Sequence, residues 1–114
     1  MLNRRYRFHS RGGVRYTYQH GKNVRSSKIT LVHAKNSRGR ERYAVVVSKK
    51  IAKSAVKRNR IRRRVYEAIR LVKQEEKFDE KKDNIFVIYA KDIETMPFQD
   101  LKALISSLLN QSMV

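Results

Sequence analysis

The sequence predicts an α+β domain in which helices pack on a small mixed sheet, and three observations lead to that expectation. Two segments rich in β-branched residues, Lys28–Ala34 and Arg42–Ser48, flank the turn cluster Asn36–Gly39. From about Ser54 the period becomes helical. Ile61, Val65, Ala68, Ile69 and Val72 recur at spacings of 4, 3, 1 and 3, which places all five on one face. An apolar strand, Asn84–Ala90, then precedes Phe98, Leu101, Leu104, Ile105, Leu108 and Leu109, the stripe of a closing amphipathic helix.

Taken in chain order, residues 1–10 read as a flexible basic arm, without the apolar stretch of a secretory signal. Gly12 and Gly13 separate this arm from Val14–His20, one or two helical turns stopped by Gly21. An extra strand fits before Lys28. Lys28–Ala34 and Arg42–Ser48 together suggest an antiparallel pair. Residues 73–83, KQEEKFDEKKD, finish the long helix in a solvated connection. Asn84–Ala90 suits a central sheet position, and Pro97 suits a first helical turn. At 114 residues the chain makes a single domain, residues 1–114, with one modest core.

Charge points to the partner. The chain holds 28 Lys and Arg against 10 Asp and Glu, a net +18. Residues 1–64 carry 21 of the cations and one acid, Glu41, whereas residues 65–114 carry 7 and 9. Such an imbalance opposes compaction unless a polyanion neutralises it, and nucleic acid is the first candidate. The absence of cysteine excludes disulfide scaffolds, Cys-based zinc modules and thiol nucleophiles and is compatible with a cytoplasmic setting. The apolar runs are far too short to span a membrane.

The cations concentrate in Ser48–Arg70, SKKIAKSAVKRNRIRRRVYEAIR, where six of the eight positions 57–64 are basic. At about 100° per residue, Asn59, Arg63, Tyr66 and Arg70 fall opposite the Ile61 stripe, with Arg60 and Arg64 on one flank and Arg62 on the other. Only Glu67 is within helical reach, of Arg63 or Arg64, and such pairs contribute about 0.2–0.5 kcal/mol. Internal ion pairs therefore do not account for the cluster. Phosphate relieves the self-repulsion, and the planar guanidinium suits it. Lys49, Lys50 and Lys53 extend the patch toward the helix N-terminus, which itself favours anions. None of Arg58, Arg60 and Arg63 belongs to the stripe, so all three are expected to matter for nucleic-acid binding far more than for folding.

KRNRIRRR following VVVSKKIAKSAV resembles the signature of the bacterial ribonuclease P protein subunit, in which a strand ending in Ser-Lys-Lys leads into a helix opening with Arg-Asn-Arg. The flanking helices and strands fit the same family. The resemblance implies a two-layer α/β sandwich with a left-handed βαβ crossover, against the general right-handed rule. It also implies a subunit that assists a catalytic RNA in endonucleolytic removal of the 5′ leader of precursor tRNA. On the family's pattern Lys49, Lys50, Lys53, Arg58, Asn59, Arg60, Arg62 and Arg63 face ribonuclease P RNA. Val14, Tyr18, Thr30 and Val32 meet the single-stranded leader in a cleft between the first helix and the sheet. The chain departs from the pattern at Val14, where an aromatic is frequent, at Ala52, where glycine is, and at Tyr66, where a basic residue is. Tyr6, Tyr16 and Tyr18 offer compensating rings.

Catalysis by the protein's own side chains is not expected. His9, His20 and His33 share no helical spacing, and nine of the ten acids follow Val65, mostly within the charged connection. The protein is expected to bind no cofactor, and the Mg²⁺ that the resemblance implies for the holoenzyme is assigned mainly to the RNA. A ribosomal protein is the main alternative. A sequence-specific DNA reader is disfavoured, because the basic helix has little polar variety for reading base edges.

Overall fold

The computed structural model describes residues 2–8, 11–36, 39–76 and 81–113. Helix α1 (Arg11–His20) is followed by strands β1 (Lys22–Arg25), β2 (Ile29–Lys35) and β3 (Arg42–Val47). Next come helix α2 (Ala55–Glu75), strand β4 (Lys82–Ile88) and helix α3 (Phe98–Ser112), with short 3₁₀ turns at Arg4–Tyr6 and Lys91–Glu94. Among the described residues the strands form one mixed sheet in the order β1-β2-β4-β3.

That order corrects one expectation. Lys28–Ala34 and Arg42–Ser48 do not pair with each other, because β4 lies between them, antiparallel to β2 (Ile29 opposite Ile88, Lys35 opposite Lys82) and parallel to β3 (Arg42 opposite Asp83, Val47 opposite Ile88). The physical reason is burial. Ile85, Phe86 and Ile88 point to both sides of the sheet and are almost fully enclosed, which an edge position could not provide. Between β2 and β3, Gly39 takes the left-handed conformation (φ 77°), and Ser37 and Arg38 of the predicted turn lie outside the described residues.

On one face of the sheet, Ile29, Leu31, Tyr43, Val45, Val47, Phe86 and Ile88 meet the Ile61 stripe of α2 and Leu101, Ile105 and Leu108 of α3. These two helices and the sheet are the main layers. On the other face a smaller cluster, Phe8, Val32, Ala44 and Ile85, packs beneath Val14 of α1. Gly21 ends α1, but not through a left-handed backbone: a Cβ there would lie 2.4 Å from the Thr17 carbonyl oxygen and 2.8 Å from that of His33. Only glycine lets the helix end approach β2 so closely.

Residues 2–8, within the segment read as a basic arm, run along the outer edge of β3. Leu2 and Phe8 are buried, and the Phe8 N–H donates to the Tyr43 carbonyl at 3.1 Å. Lys73 of α2 ties this segment down. Its Nζ lies 3.3 Å from the Tyr6 ring centroid, 5.6 Å from that of Tyr43 and 2.5 Å from Glu41 Oε1. Tyr66, expected on the solvent face of α2, is instead buried, with the Arg7 guanidinium 5.8 Å from its ring centroid. Helical geometry alone puts Tyr66 opposite the stripe; the docked N-terminal segment supplies the second surface that encloses it.

Candidate nucleic-acid interface

The loop from Ser48 to Ser54 turns the chain from β3 into α2. The Ser48 carbonyl accepts from the Ile51 and Ala52 N–H groups, and the Ser54 hydroxyl caps the helix by accepting from the Lys57 N–H. This geometry leaves Lys49, Lys50 and Lys53 exposed beside the first turn, where Lys57, Asn59, Arg60 and Arg63 are exposed as well. The helix end, the loop lysines and the first two turns of α2 therefore make one cationic surface.

Its arginines are not equivalent. Arg58 folds back, its Nη1 donating to the carbonyls of Ala52 (2.9 Å) and Lys53 (2.8 Å), so it pins the loop as well as carrying charge. Arg62 donates to Asn59 Oδ1 at 2.8 Å, which orients both side chains and leaves the Asn59 amide nitrogen outward. Arg60 stands 4.0 Å from Glu94 Oε2, an outer-range contact between an exposed guanidinium and a carboxylate oxygen that is itself buried. Arg64 is committed inward, donating to the carbonyls of Ile93, Glu94 and Met96, and so locks the turn before α3. Glu67 pairs with Arg70 rather than with Arg63 or Arg64, and the Arg70 guanidinium holds its carboxyl down to about 2. Among the described residues Lys49, Lys50, Lys53, Lys57, Arg58, Arg62 and Arg63 have no carboxylate partner.

The second predicted site lies across the sheet. Val14 is half-buried, Thr30 and Val32 are each 4% exposed beneath α1, and Tyr18 alone of the four presents an open ring, at 44%. Thr30 and Val32 thus form the floor under α1. The open wall consists of residues that the sequence reading passed over: Val46 and Val87, half-buried on the outer face, and Tyr89, 51% exposed. Burial pushes the Tyr18 hydroxyl up, with Tyr89 as the second cause. Arg25, the cross-strand partner of Thr30, adds an exposed cation on the same face. Alternation along β3 and β4 was the signal for the two valines. Arg42, by contrast, is consumed by a two-pronged bond to Asp83 at 2.7 Å, under the Phe8 ring. Among the described residues no three His, Asp or Glu come together as a metal site.

A family model described as Ribonuclease P matches residues 2–112. The chain belongs to the ribonuclease P protein family. The ribonuclease P protein component of Pelotomaculum thermopropionicum is 40% identical over 92 residues, covering 81% of this chain and 79% of that protein. That of Chloroflexus aurantiacus is 33% identical over 111 residues, covering 97% and 80%. Among solved structures, the Staphylococcus aureus RNase P protein superposes with a TM-score of 0.80 at 22% identity over 96% of each chain. The Thermotoga maritima RNase P protein gives 0.74 at 20% identity, over 92% of this chain and 96% of that one. The fold is the one these proteins share. Membership makes the chain the protein component of a tRNA-processing endoribonuclease, a partner of ribonuclease P RNA, with catalysis in the RNA. No helix among the described residues is long and apolar enough to cross a membrane.

Proposed function

We propose that this chain grips ribonuclease P RNA with the loop and first turns of α2 and receives the 5′ leader of precursor tRNA in the groove between α1 and the sheet. The observation that supports this most is the cationic surface at Lys49–Arg63, displayed beside a packed Ile61 stripe, on which every cation but Arg60 lacks a carboxylate partner among the described residues. Side chains held apart in this way neutralise phosphates on a structured RNA, chiefly Lys49, Lys50, Lys53, Arg60, Arg62 and Arg63, while Arg58 and Asn59 fix the surface's shape.

The groove suits a single strand. Tyr18 and Tyr89 offer faces for stacking, Val46 and Val87 offer apolar contact, and Arg25 offers a cation for the backbone. Thr30 and Val32 act from below, by setting the groove's depth. On this reading the protein binds no cofactor; Mg²⁺ for cleavage is carried by the RNA, and the protein lowers the Mg²⁺ demand by supplying positive charge of its own. The site of action is the cytoplasm.

The test is cleavage of a precursor tRNA by bacterial ribonuclease P RNA at low Mg²⁺, with and without the protein, beside the protein alone. Stimulation only in the presence of the RNA is expected. Cleavage by the protein alone, or no stimulation, overturns the proposal. Tyr18→Ala with Tyr89→Ala is expected to weaken binding of the precursor and leave mature tRNA binding unchanged.

A further inference from the structure

A cavity of about 570 Å³ opens where the end of α1, the edge strand β1 and the last turn of α3 meet, and it shares no lining residue with either surface described above. Its size is that of a small-ligand site. Lys22, Lys35 and Lys82 line it, together with His20 and His33, and among the described residues no carboxylate side chain does. Strand register brings these groups together: Lys22 is the cross-strand partner of His33, and Lys35 that of Lys82. Since side chains alternate, Lys22, His33, Lys35 and Lys82 fall on one face of one sheet corner. The Lys82 ammonium donates to the Ser112 carbonyl at 3.0 Å, whereas Lys22 and Lys35 are exposed and have no ion-pair partner among the described residues.

The wall at the mouth is aromatic. Tyr16 and His20, one turn apart on α1, have ring centroids 4.4 Å apart with their planes tilted by 34°, and Tyr16 is more than half exposed. Gln111, which also lines the cavity, donates its amide N–H to Ser107 and keeps its carbonyl oxygen as an acceptor, and the exposed Asn23 is a second lining amide. Cations for a phosphate, a ring for a base and amides for its edge are the three contacts that a single-stranded nucleotide uses.

We propose that this cavity takes one nucleotide of single-stranded RNA, with its base on Tyr16 and its phosphate on Lys22 and Lys35. The inference rests on the RNA partnership set out above and adds a third contact region to it. Tyr16 and Tyr18 project from different flanks of α1, so a leader longer than the groove reaches the cavity by crossing the helix. A loop of the catalytic RNA is the other source of the same chemistry.

Reconstituted holoenzyme carrying Tyr16→Ala, or Lys22→Ala with Lys35→Ala, separates the two sources. Affinity is measured for precursors with a leader confined to the groove and with an extended one, and for the catalytic RNA alone. A loss of about tenfold from Tyr16→Ala, seen only with the extended leader, identifies the leader as occupant. The same loss in binding to the catalytic RNA identifies that RNA. Unchanged affinities in both, with melting temperatures unchanged, overturn the proposal, as does a Tyr16→Phe variant that loses as much as Tyr16→Ala. Tyr18→Ala run in parallel with the short leader tests the groove independently, so failure of one reading is distinguishable from failure of the other.

Discussion

Arg58 and Arg63 lie five residues apart on α2 and carry the same charge, yet the structure assigns them different work. Arg63 is exposed and makes no ion pair among the described residues, so Arg63→Ala is expected to change folding stability by less than about 0.5 kcal/mol. Its cost falls on RNA binding, where one fewer neutralised phosphate lowers the slope of log affinity against log salt by about 0.9. Arg58→Ala removes two bonds from a charged donor, at 2.9 and 2.8 Å, to carbonyls of the loop that carries Lys49, Lys50 and Lys53. The group is half-buried, so the expected cost is about 1–2 kcal/mol. For a domain of this size that lowers Tm by roughly 4 °C per kcal/mol. Arg58→Lys keeps the charge and loses the fork, and is expected to retain the salt slope while losing part of the stability. Urea titration beside RNA binding at several salt concentrations measures both quantities. Equal stability for Arg58→Ala and Arg63→Ala would refute the structural role of Arg58; a large loss of stability from Arg63→Ala would refute the exposed, purely electrostatic one.

Four further perturbations check the fold that carries these surfaces. Gly21→Ala is expected to cost about 1–3 kcal/mol, because its Cβ meets two backbone oxygens that cannot rotate away. Gly39→Ala costs only the left-handed penalty of about 1–2 kcal/mol, and thermal melts of the two variants rank them. Lys73→Met leaves the Glu41 carboxylate, mostly buried, without its cation, for a loss of about 3 kcal/mol; adding Glu41→Gln recovers part of it, and a double-mutant cycle reads the coupling. The Glu67 carboxyl titrates at about 2 when folded, below its ordinary 4.5. A depressed carboxyl stabilises the fold above the unfolded value and loses that contribution as pH falls from about 4.5 through 2. Acid titration of Glu67→Gln is therefore expected to be flatter over that window.

What the sequence disclosed and what it withheld follow from the range of the interactions involved. The Ile61 stripe is a helical-period feature, set by neighbours three and four positions away, and it appears as read; of the cations around it Arg63 is exposed, whereas Arg64 turns inward to carbonyls some thirty residues away in sequence, a contact with no local sign. The apolar content of Asn84–Ala90 likewise announced a central strand. Its position between β2 and β3 was not announced, because pairing is decided by segments some fifty residues apart and both orders satisfy the local pattern. Tyr66 and the segment Leu2–Phe8 were misjudged together. Each is the other's cover, and neither carries a local sign of that contact. The groove was partly legible: Tyr18 was found, but Tyr89, Val46 and Val87 acquire meaning only when β4 stands beside β3 with its outer face uncovered.

The placement of β4 has a kinetic consequence. Ile29 must wait for Ile88 before it gains its sheet partner, so during synthesis most of the chain emerges before the sheet can close. Until then β2 and β3 each present an unpaired edge able to recruit strands from other chains. The segment that ends this exposure belongs to the acidic part of the sequence, whereas the cations precede it. A nascent chain therefore displays its attraction for RNA before it possesses the shape that makes the attraction selective.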